Sequence, residues 1–97
     1  IIIDNIEKKK FTFEIYKSDN YGIYNLGLYK NNKIVDFGVA RINTIELNVE
    51  LINLLSDNNF TRVKSSFNKY FNKWEVIEIT HEPLSDINEV INYQQNK

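Results

Sequence analysis

The sequence contains no cysteine, which excludes disulfides and thiolate metal sites. The redox compartment stays open, because a core that needs no covalent staples serves inside or outside a cell. There is no methionine either, even at the first position, and the chain reads as a processed, trimmed or excised segment. His81 is the single histidine, so a histidine cluster around a metal is excluded. With Glu78 or Glu82 it makes at most part of a ligand set, and zinc normally takes three or four protein ligands. Glycine occurs three times, at Gly22, Gly27 and Gly38, scattered among strand patterns and never gathered into a strand-to-helix phosphate loop. No apolar run approaches the roughly 20 residues of a membrane span. Ile1, Ile2 and Ile3 are too short a run for a signal peptide and lack a basic flank before them. A dominant charge is missing as well: 12 basic against 13 acidic residues leave a net charge of −1, which steers the whole molecule towards no particular partner.

What remains is ordinary globular material. The chain has 97 residues, 42% of them hydrophobic and 26% charged, enough for one domain with its own core and too few for two. Isoleucine, asparagine and lysine are abundant, and their AT-rich codons point to a low-GC genome.

The first half carries a period of two. Phe11, Phe13 and Ile15 alternate with Thr12, Glu14 and Tyr16. Asp19 and Asn20 suit a tight turn, as do Asn31 and Asn32, since these residue types tolerate positive φ. Folding 11–18 onto 21–29, and that run onto 33–42, sets Ile15 against Tyr24, Phe13 against Leu26 and Phe11 against Leu28. The second turn sets Leu28 against Val35, Leu26 against Phe37 and Tyr24 against Val39. All of these fall on one face, and a slip of one residue would turn the set towards water. The opposite face carries Tyr16, Ile23, Asn25, Gly27, Tyr29, Ile34, Asp36, Gly38 and Ala40. Its middle is shallow at Gly27 and Gly38, which makes it either a solvated sheet face with bulges or a docking surface.

Beyond residue 42, Asn43 or Thr44 suits the N-cap of a helix whose stripe is Leu47, Leu51, Leu54 and Leu55, although the alternation of Ile45, Leu47, Val49 and Leu51 also fits a strand. Residues 56–59 break it. Phe60, Val63, Phe67, Tyr70, Phe71 and Trp74 then recur at spacings of three and four, which predicts a second helix. Arg62, Lys69 and Lys73 fall nearly in line on its far side. From Trp74 to Thr80 the period returns to two, with Val76 on one side and Ile77 and Ile79 on the other. Ser85 suits an N-cap for a last helix with Leu84, Ile87, Val90 and Ile91 as its apolar side, and the tail from Gln94 is expected to fray. The expected fold class is α+β: a single domain with an antiparallel three-strand meander, two helices, a fourth strand and a C-terminal helix, in the order β-β-β-α-α-β-α.

Chemistry is harder to find than fold. His81 has Ser85 and Asp86 nearby in sequence, yet capping explains both, and a catalytic base needs a nucleophile, an orienting acid and an oxyanion site. Glu75, Glu78, Glu82, Asp86 and Glu89 make the last third acidic, an interaction face more simply than a reaction centre. The leading expectation is a small non-catalytic protein-binding module of the inhibitor, immunity or adaptor type, with no cofactor and no metal. Its candidate contacts are Arg62, Lys69 and Lys73 on the basic helix line and Tyr16, Tyr29 and Asn25 on the sheet. A homodimer pairing the basic line with the acidic region is one form of this. The alternative is a nucleic-acid-binding module, the cations tracking phosphates and the tyrosines stacking on bases. A third reading is a small enzyme centred on His81.

Overall fold

The computed structural model describes residues 9–20 and 22–95, and the expectations for residues 1–3, Tyr21, Asn96 and Lys97 lie outside them. The elements run β1 Lys10–Lys17, β2 Tyr24–Lys30, β3 Lys33–Val39, β4 Arg41–Ile42, α1 Ile45–Asp57, β5 Phe60–Asn68, β6 Lys73–Thr80 and α2 Ile87–Gln95. The order is therefore β-β-β-β-α-β-β-α, and it corrects the expected β-β-β-α-α-β-α. The chain remains α+β but is richer in strand.

The opening meander forms with two adjustments. β1 pairs with β2 so that Ile15 faces Leu26 and Lys17 faces Tyr24, two residues away from the tight-turn register. The cause is a longer connection, closed by Ser18 N donating to Ile23 O at 3.0 Å and Ile23 N to Asn20 O at 3.1 Å. A shift of two keeps every side chain on its face. The second turn forms at Asn31 and Asn32, with φ of 53° and 67°, and Leu28 faces Val35 as expected. An extra residue then enters β3 between Asp36 and Val39, where Gly38 has φ +96° and its N–H donates to Asp36 Oδ1 at 2.8 Å. That bulge exchanges the faces of the next residues, so Val39 turns outward and Ala40 joins the core.

The predicted second helix does not exist. Its residues form the antiparallel pair β5–β6, with Phe67 opposite Trp74 and Val63 opposite Ile79. Val63, Ser65 and Phe67 point inward at period two, and Trp74 and Val76 continue that face until a bulge at Ile77. Ser65 and Ser66 are both buried, on opposite faces of β5, and a small polar residue at the inward position of Ser65 masks the alternation. Trp74 holds the aromatic cluster, its ring centroid 4.8 Å from Phe13 and 5.1 Å from Phe67. Its Nε1 donates to Gln94 Oε1 of α2 at 3.1 Å, so Gln94 is tied into the core side rather than frayed.

All six strands make one sheet in the order β3-β2-β1-β5-β6-β4, antiparallel except where β4 runs parallel to β6. β3 and β4 sit at opposite edges, yet only Ala40 separates them in sequence. A flat sheet would hold those edges about 24 Å apart at its usual strand spacing. The sheet therefore curls until its ends meet, and Cα atoms of β3 come within 8 Å of β6. Phe13, Ile15, Leu26, Leu28, Val63 and Trp74 fill the interior of this curl, joined by Leu51 and Leu55 of α1 and Ile87 and Val90 of α2.

Segment 81–86 reaches α2 by an unusual route. It leaves β6, crosses β5 on the outer face, where Glu82 pairs with Lys64 at 2.7 Å and its carbonyl accepts from Arg62 Nη1 at 3.0 Å, and arrives at β1. There Ser85 Oγ accepts from Thr12 N at 2.8 Å and Ser85 N donates to Thr12 O at 3.1 Å. β2 has parted from β1 at this point, since their ladder ends at Glu14 and Gly27. Ser85 thus occupies the backbone positions of Thr12 and is not the expected helix cap.

Candidate functional site

α1 begins where Thr44 Oγ1 accepts from Leu47 N at 3.2 Å, and it ends where Asn58 donates to Leu54 O from both its backbone and its side chain. At about 100° per residue, Leu47, Leu51, Leu54 and Leu55 gather on the side that faces the core. A second apolar stripe runs almost opposite. Ile45, Val49 and Ile52 stand at i, i+4 and i+7, with 79%, 49% and 41% of their surface exposed. Glu46, Glu50 and Asp57 collect on one flank of that stripe, and α1 contains no basic residue.

The stripe opens at its C-terminal half into a cleft of about 550 Å³ between α1 and the β1–β2 connection. Lys17, Asp19, Gly22, Ile23, Tyr24 and Ile52 contribute to its walls. Gly22, with φ +81°, allows the connection to turn back towards the helix. Ile23, exposed on the connection, and Ile52 of the helix line the same cleft.

The residues expected to bind are distributed differently. Arg62 lies where β5 pairs with Thr80, whereas Lys73 pairs with Asn68 at the far end of the same hairpin and Lys69 lies in its turn. Without a helix, no basic line joins the three. Tyr16, Tyr29 and Asn25 do come together on the outer face of the sheet, but they are occupied by one another's neighbours. Tyr29 Oη donates to Glu14 Oε1 at 2.8 Å and Asn25 Nδ2 donates to Asp36 Oδ2 at 3.0 Å. The hydrogen bond to Glu14, followed by burial and the Glu14 charge, raises the Tyr29 hydroxyl above its ordinary pKa. Tyr16 is raised chiefly by burial and then by the Asp36 carboxylate. The shallow centre of this face is filled, because a Cβ on Gly27 would stand 2.8 Å from Ile34 Cγ1 and 3.2 Å from Tyr16 Cε1.

Lys69 and Lys73 instead flank an aromatic hairpin tip. Tyr70 is 98% exposed and Phe71 half so, and the Arg41 guanidinium lies 4.0 Å from the Phe71 ring centroid. Asn68 Oδ1 accepts from the N–H groups of Tyr70 at 2.9 Å and Phe71 at 3.3 Å. Its Nδ2 donates to Glu75 Oε2 at 2.9 Å, which also accepts from Arg41 Nε and Asn43 Nδ2, each at 3.1 Å. The nearly buried Glu75 carboxylate therefore fixes both the turn and the cation beside it.

His81 is exposed at the end of β6 and contributes to neither this cleft nor the smaller one between β3 and α2. Among the described residues, no three of His, Asp and Glu are grouped to hold a metal ion, and no helix is long and apolar enough to cross a membrane. Comparison with protein-family models, with curated proteins and with solved structures returns no match to this chain. The outward stripe of α1 is the feature that sequence reasoning missed. Its signal is there in the spacing of Ile45, Val49 and Ile52, but Ile45 and Val49 also alternate with Leu47 and Leu51 and suggest a strand.

Proposed function

We propose that this chain is a small non-catalytic protein-binding module that acts by occupying a surface on another macromolecule, as inhibitors, immunity proteins and adaptors do. The observation that carries the reading is the second apolar face of α1. Single exposed aliphatic residues are normal on protein surfaces and mean little. Three aligned along a helix and continuous with a cleft are different, because that pattern is how a helix presents its anchors to a partner. Each aliphatic side chain fully removed from water contributes about 1.5–3 kcal/mol, so covering this stripe favours association. The carboxylates on its flank favour encounter with a basic rim.

The test is affinity capture from the source cell, followed by calorimetry between the purified partner and variants of this chain. Val49→Glu combined with Ile52→Glu is expected to weaken binding by about a hundredfold, within the range of interface hot spots. Lys30→Ala, on the opposite part of the sheet, should bind as wild type does. Full affinity in the α1 variant would reject this face. Salt-dependent binding to single-stranded DNA that is lost in Lys69→Ala would favour the nucleic-acid alternative instead.

A further inference from the structure

We infer that the free edge of β3 takes a strand from another protein: an extended peptide with apolar residues at alternate positions and an acidic residue beside Lys33. This surface is separate from α1. Hydrogen bonding is the first argument. β3 bonds to β2 on one side, and its other side is an edge of the sheet. The two-residue turn makes Lys30 and Lys33 a bonded pair, so Leu28 and Val35 form the next, and the N–H and C=O groups of Ile34 and Asp36 point away from β2. Among the described residues these backbone groups have no hydrogen-bond partner. A helix or a folded face laid over them would strip their water without replacing it, whereas an extended chain pairs with them in turn.

Shape is the second argument. A cleft of about 280 Å³ runs between β3 and the end of α2, with Val35, Phe37 and Ile91 as its apolar walls. Pockets beside an edge strand receive alternate side chains of an added strand. Charge is the third. Lys30 and Lys33 stand exposed at the turn end of the edge, with no ion-pair partner among the described residues. Lys33 shares a face with Val35 and Phe37. A strand antiparallel to β3 that seats an apolar residue opposite Val35 therefore brings its second residue onward to Lys33, where a carboxylate is favoured. The other end of the edge is closed by the bulge at Gly38 and by the short step through Ala40 to β4, which lies against β6. A second copy of this chain does not supply the strand, because its own Val35 and Phe37 are packed against its own core and cannot enter the cleft.

The test titrates acetyl-Val-Thr-Val-Thr-Glu-amide into the full chain and follows amide exchange by two-dimensional NMR. Exchange at Ile34 and Asp36 is expected to slow by about tenfold at saturation. Methylating both threonine nitrogens of the peptide should abolish binding, since those N–H groups donate to the β3 edge. Lys33→Glu, a change at an exposed position, should weaken binding by about fivefold, and replacing the peptide's Glu with Lys should restore it. Val49→Glu combined with Ile52→Glu should bind the peptide as wild type does, so failure at this edge and failure of the α1 face are told apart. The inference is overturned if neither amide responds at millimolar peptide, if the methylated peptide binds equally well, or if Lys33→Glu binds as wild type does. Protection of Ile34 that rises with protein concentration in the absence of peptide overturns it too, because a second copy would then cover the edge.

Discussion

Tyr29 and Glu14 show how the outer face of the sheet is held. Glu14 is almost fully buried on that face, and the Tyr29 hydroxyl donates to it at 2.8 Å. A hydrogen bond to a charged group is worth roughly 1.5–3 kcal/mol, and about 1 kcal/mol once the half-exposed position of Tyr29 is allowed for. Tyr29→Phe should therefore lose about 1 kcal/mol in urea unfolding at neutral pH. The pH dependence has a definite sign. The folded pKa of Tyr29 lies above the ordinary 10.0, so the folded state holds its proton where the unfolded chain releases it. The stabilisation is fully present below the ordinary value and is lost as pH rises through the raised one. Wild type should then lose stability on that alkaline limb more steeply than Tyr29→Phe. Parallel limbs would show that the hydroxyl bond contributes nothing.

At the scale of elements, legibility followed how local the determining forces were. The turn at Asn31 and Asn32 and the cap at Thr44 were readable because each depends on one or two residues with specific backbone or side-chain demands. The 60–74 segment was misread because its large residues fit a helical period as well as an alternating one, with Ser65 and Ser66 silent in either. The turn signal between them, Asn68 through Asn72, decided the outcome; Asn72 adopts φ 54° there and Asn68 caps two N–H groups. Gly27 reads in sequence as the shallow middle of an open face, whereas the Ile34 and Tyr16 side chains fill that space. Gly27→Ala would place its methyl 2.8–2.9 Å from the Ile34 side chain and should destabilise by roughly 1–3 kcal/mol in thermal or urea melts. In an Ile34→Ala background most of that cost should vanish. An equal cost in both backgrounds would place the constraint in the backbone and not in Ile34.

Across the whole molecule, closure of the sheet was illegible, since it depends on pairings such as Phe11 with Ser65 and Ile42 with Val76 that no short window contains. Closure determines what the surface offers. It directs Phe13, Leu26, Val63 and Trp74 into a common interior, lets α1 and α2 complete that interior with one side each, and leaves the far side of α1 unused. The candidate site depends on the same closure: the sheet face that reads as shallow at Gly27 is filled by Tyr16 and Ile34, and α1 carries a second apolar stripe besides its leucines. A docking role for the second face of α1 requires that face to be surplus to the fold. Thermal unfolding of a variant carrying Ile45→Gln, Val49→Gln and Ile52→Gln measures this most directly, with Leu51→Gln as the buried reference. The triple variant is expected to melt within a few degrees of wild type and Leu51→Gln far below it, as losing a core side chain costs about 2–5 kcal/mol. A triple variant that melts as early as Leu51→Gln would contradict it, because the stripe would then be part of the domain's own packing.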